Sequence, residues 1–73
     1  MTEQELMKLD MVKNLTLLLM EDNPQLSMEE ALQTVFNSDT YQRLQNDATA
    51  LYYQSARYVY SFLQSELLTA KVS

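Results

Sequence analysis

Glycine is absent from all 73 residues of the chain, and proline occurs once, at Pro24. Glycine ordinarily supplies the positive φ angles of tight hairpin turns, so a β-rich fold of this size without any would lack its corners. Helices need few special turns, and Asn can take the left-handed position at their ends. The missing glycine therefore predicts an all-α chain: a compact bundle of three main helices plus one short helix between the second and the last.

Size sets the next limit. A chain of 73 residues makes one domain, 1–73. A domain this short buries about 60% of the surface its unfolded chain exposes, and its core supplies only about 3–5 kcal/mol unless something staples it. Without Cys or His there is neither a disulfide nor a structural zinc site. Efficient helix packing and self-association are the remaining routes, and a 47% hydrophobic composition provides the material.

The first predicted helix runs from about Thr2 to Glu21. At 3.6 residues per turn, Met7, Met11, Val12, Leu15, Leu18 and Leu19 gather on one side. Leu6, Leu9, Leu17 and Met20 gather opposite, with Glu5 and Thr16 on one flank and Glu3 and Asp10 on the other. A surface helix normally carries one apolar stripe. Two stripes predict packing on both sides, the second against another copy of the chain. Met7 and Met11 read as core filling, and Met20 as the methionine most suited to a contact surface.

Pro24 disfavours helical geometry at Asn23 and ends this helix, leaving Glu21 and Asp22 as a solvated terminus. Ser27 and Glu30 form a capping-box pattern. The helix Met28–Phe36 follows, with Met28, Ala31, Leu32, Val35 and Phe36 on a single apolar face. Ser38 caps a short helix over Asp39–Gln45, with Tyr41 and Leu44 turned inward. Asn46-Asp47 marks a corner, and residues 48–54 read as a helical turn or an irregular link. Ser55 caps the last helix, Ala56 to about Ala70. Ala56, Val59, Tyr60, Leu63, Leu67 and Ala70 share its main face, Tyr58 and Phe62 form a smaller patch, and Lys71 suits its C-terminus.

Several function classes drop out. With neither His nor Cys, the commonest general base and the thiol nucleophile are missing, and without glycine there is no phosphate-binding loop. The chain therefore reads as non-enzymatic, with no catalytic residue, no cofactor and no metal. Its net charge of −5 opposes binding to nucleic acid and to anionic lipid. A helix-turn-helix over the second and third helices fails on the same ground, since Arg43 is the only basic residue there. The apolar run LTLLLM is too short to span a bilayer, and Glu3 and Glu5 replace the basic start of a signal peptide. The expected setting is the cytoplasm.

All five tyrosines lie between Tyr41 and Tyr60. Tyr41 and Tyr60 fall on core faces. Tyr52 and Tyr53 are adjacent in the corner, where the two cannot be buried equally well. Tyr53 and Tyr58 stand between corner packing and partner contact. The succession Asn37-Ser38-Asp39-Thr40-Tyr41, Leu44, Leu51-Tyr52, Ser55, Tyr58-Val59-Tyr60 and Leu63 resembles a group of small bacterial proteins without an assigned activity. The shared pattern reads S-x-T-Y-x-x-L, then G-L-Y-x-x-S-P-x-Y-x-Y-x-x-L, and covers about the C-terminal two thirds of the chain. Ala50 stands where that pattern has glycine, and Ala56 where it has proline. Both changes predict a corner less punctuated and more compatible with helix. The resemblance implies that Ser38, Tyr41, Ser55, Tyr58 and Tyr60 act together structurally, and it loosely associates the chain with toxin-like neighbours.

Two functions are expected from this reading. The first is an interaction module that self-associates, as a dimer, through Leu6, Leu9, Leu17 and Met20. The alternative is a small acidic regulator or inhibitor that binds a heterologous, toxin-like protein through Tyr53, Tyr58 and Phe62.

Overall fold

A computed structural model describes residues 1–72 and is all-helical over them, with no strand among the described residues. The helices are α1 (Glu3–Asp22), α2 (Met28–Phe36), α3 (Asp39–Gln45) and α4 (Ala56–Val72), and two short 3-10 turns, Asp47–Thr49 and Leu51–Tyr53, join α3 to α4. The side chains of Ala70 and Lys71, expected at the end of α4, lie outside the described residues. The radius of gyration is 11.9 Å, close to the roughly 11 Å a compact chain of this length requires. No helix of the described residues is long and apolar enough to cross a membrane.

Local chemistry starts each helix. Thr2 and Glu5 form a capping box on α1, and Ser27 and Glu30 form one on α2. The hydrogen bonds from Ser27 to the Glu30 carboxylate hold its pKa below the usual value. The Ser38 hydroxyl accepts from the Tyr41 N–H at 3.0 Å and donates to the Val35 carbonyl at 2.6 Å, so one buried side chain closes α2 and opens α3. Ser55 accepts from the Tyr58 N–H at the head of α4. At the end of α1, the backbone and side-chain N–H groups of Asn23 both reach the Leu19 carbonyl, at 2.9 and 3.0 Å. These bonds satisfy groups that every helix end leaves without an intrahelical partner.

The core gathers Met11, Val12, Leu15 and Leu19 of α1 with Ala31, Val35, Leu44, Leu51, Tyr52, Val59, Tyr60 and Leu63. Two sequence expectations are corrected here. Thr16, placed on a polar flank, is buried, because its hydroxyl donates to the Val12 carbonyl at 2.8 Å and needs no water. The apolar face of α2 is not wholly inward: Ala31 and Val35 are fully buried, but Met28 and Phe36 at its two ends are exposed.

The corner before α4 is more sharply punctuated than expected. Ala50 joins the two 3-10 turns with φ 51° and ψ 29°, a left-handed conformation. Its Cβ makes this conformation unfavourable, so Ala50 occupies a glycine site without being glycine. Ala50→Gly is expected to raise stability by about 0.5–1 kcal/mol, the relief of strain exceeding the added flexibility of the unfolded chain. Urea denaturation measures the change, and a loss of stability would show that the left-handed residue carries no strain.

Candidate functional site

The polar ties between distant elements define which surfaces are already occupied. Lys8 Nζ lies 2.7 Å from Asp47 Oδ1, donates to the Gln45 carbonyl at 3.3 Å and sits 5.6 Å from the Tyr52 ring centroid, with its side chain only 14% exposed. This lysine fastens α1 to the corner. Glu66 of α4 accepts from the Asp39 N–H at 2.7 Å, and from the Thr40 N–H and hydroxyl, each at 2.9 Å. A carboxylate from α4 thus completes the cap of α3.

Asp22, expected to be solvated, accepts from the Tyr60 hydroxyl at 2.7 Å and joins the end of α1 to α4. Burial, reinforced by this bond and by the charges of Asp22 and Glu21, pushes the Tyr60 pKa up to about 12. An unfolded tyrosine ionises near pH 10. The neutral phenol's contribution is therefore complete below about pH 10 and is lost as pH rises towards 12, because the unfolded state releases its proton first. Stability of Tyr60→Phe is expected to fall less steeply than wild type over that interval. Equal slopes in denaturation curves taken at successive pH values would overturn the assignment.

The candidate partner residues split. Tyr52 is 6% exposed and Tyr53 is 65% exposed, so the corner buries one ring and displays the other. Tyr53 packs on Tyr52 with centroids 4.7 Å apart, and exposed Tyr58 packs edge-on against Phe62 at 5.1 Å. Phe62 is half-buried against the core. Among the described residues, no ring contact joins the two pairs.

The candidate self-association residues lie closer together, with one difference. Leu6, Leu9 and Leu17 are 54%, 50% and 49% exposed. Met20 instead is half-buried and packs against the core. What α1 alone did not reveal is the contribution of α2. Leu9 and Leu17 face Met28, Leu32 and Phe36 across an open groove of about 290 Å³, with Val12, Thr16 and Lys13 completing its walls. Phe36 also meets Tyr41 edge-on at 5.0 Å, and together with Leu9 and Val12 it lines an adjoining depression of about 200 Å³ towards Met1 and Gln45. The Thr16 hydroxyl is engaged with Val12, and the Lys13 ammonium lies 3.1 Å from Asp10 Oδ1. Oily walls and few free polar groups suit an apolar side chain better than a polar ligand.

Comparison of the chain with protein-family models, with curated proteins and with solved structures finds no match.

Proposed function

We propose that the chain is a non-enzymatic protein–protein interaction module that self-associates through the outer face of α1 and the adjoining edge of α2. The observation that carries this reading is the open groove where exposed Leu9, Leu17, Met28 and Phe36 meet. Each retains about half of its surface in water. Covering that remainder is worth on the order of 1 kcal/mol per side chain, appreciable beside the roughly 3–5 kcal/mol a domain of this size musters. Both copies of a symmetric pair would gain it.

The test is sedimentation velocity over a wide concentration range. A dimer that grows with concentration is expected, and a strict monomer at the highest concentration would overturn the reading. A heterologous partner bound by Tyr53, Tyr58 and Phe62 is the second reading, supported by the exposure of Tyr53 and Tyr58. It has less support because Tyr53 and the Tyr58–Phe62 pair form separate ring contacts.

A further inference from the structure

On α1, exposed Leu6, Leu9, Lys13 and Leu17 are followed by half-buried Met20, and the spacing of the five reads the same in both directions. Reversing the helix about Lys13 sets Leu9 beside Leu17 of a second helix, Leu6 beside Met20, and Lys13 beside its own copy. On a wheel of 3.6 residues per turn, Leu9 and Met20 lie to the α2 side of Lys13, and Leu6 and Leu17 to the other. Each layer of a reversed pair would then hold two side chains next to each other rather than end to end, as interdigitated helix packing requires.

The flanks of α1 separate a reversed pair from a parallel one. The α2 side carries exposed Met28 and Phe36 and one carboxylate, Glu5, engaged in the Thr2 cap, whereas exposed Glu3, Asp10 and Glu21 lie on the opposite flank of α1. In a parallel pair the apolar edge of α2 would face the partner's acidic flank. In a reversed pair the two apolar edges share one side, and the acidic flanks share the other. There, each Lys13 brings its own Asp10, 3.1 Å away, so two ammonium groups meet two carboxylates. We propose, building on the self-association reading above, that two copies pair through antiparallel α1 helices with Lys13 on the two-fold axis. Lys13 sets the register of this pairing and weakens it, as a lone polar residue does in a helical seam.

The absence of cysteine makes the test clean. Helices about 10 Å apart bring residues on a shared axis to roughly 5 Å between Cα atoms, within disulfide reach. Under mild oxidation, Lys13→Cys is expected to give a covalent dimer, and Leu9→Cys and Leu17→Cys none when oxidised separately. An equimolar mixture of those last two should give a cross-link containing one of each. Lys13→Leu should tighten dimerisation on the order of tenfold.

Failure of this geometry and failure of the underlying reading look different. A wild-type dimer in which Leu9→Cys and Leu17→Cys each cross-link to themselves is parallel, and the reversed pairing is wrong. A dimer in which none of these positions cross-links uses another surface and overturns the pairing as well. A monomer at every concentration removes the self-association reading, and the pairing with it.

Discussion

Glu66→Ala is expected to lower stability by about 2–3 kcal/mol, a large share of what so small a domain has. Three donors converge on this carboxylate, the N–H groups of Asp39 and Thr40 and the Thr40 hydroxyl, at 2.7 to 2.9 Å. Hydrogen bonds to a charged group contribute about 1.5–3 kcal/mol each. The full sum does not apply, because Asp39 is exposed and water can replace its share. Thr40 is buried, so its two donors are the ones left unsatisfied. The seven-residue α3 is too short to hold itself. Glu66→Gln keeps one acceptor but turns an amide N–H₂ towards donors, so about half the loss should remain. Urea denaturation distinguishes these outcomes. A loss below about 0.5 kcal/mol for the alanine variant would mean that solvent caps α3 adequately.

This cap also shows where the sequence stops being legible. Helix starts are local: Ser27 with Glu30, Ser38 and Ser55 announce themselves within three residues, and all three act as caps. Thr2 with Glu5 carries the same signal and does the same work, so that box was readable too. Glu66 with Thr40, Tyr60 with Asp22 and Lys8 with Gln45 join residues 26, 38 and 37 positions apart. Each of these polar residues looks in sequence like any other solvated one, because periodicity reports which side faces the core and not what lies opposite a charge. Ala50 misled in the other direction: its helical propensity is local, and the burial of Leu51 and Tyr52, which follow it in the second turn of the corner, overrode it.

The candidate surface was half legible for the same reason. The exposed leucines of α1 followed from their spacing. In sequence, Met28 and Phe36 continue the apolar face of Ala31 and Val35. The nine-residue α2 packs chiefly on α1 and touches α3 only at its end, so it buries the middle of that face, Ala31 and Val35. The exposure of Met28 and Phe36 beside Leu9 and Leu17 emerges only when α1 and α2 are placed together.

Leu9→Glu combined with Leu17→Glu should therefore abolish self-association while leaving the fold intact, the largest effect on binding that two substitutions should produce. Both positions are half exposed, so each glutamate can turn to water in the monomer, and helix propensity changes little between Leu and Glu. In a pair, the same substitutions bring four added carboxylates into one apolar seam, which is both a repulsion and a desolvation cost. The two substitutions should raise the dissociation constant by at least two orders of magnitude, equivalent to about 2.7 kcal/mol. Sedimentation should then show a monomer at concentrations where wild type is dimeric, with unchanged far-ultraviolet circular dichroism. A helical variant that still dimerises would place the contact elsewhere. Loss of helical signal would show that Leu9 and Leu17 hold the domain together from within, and that the groove they share with Met28 and Phe36 is part of its core.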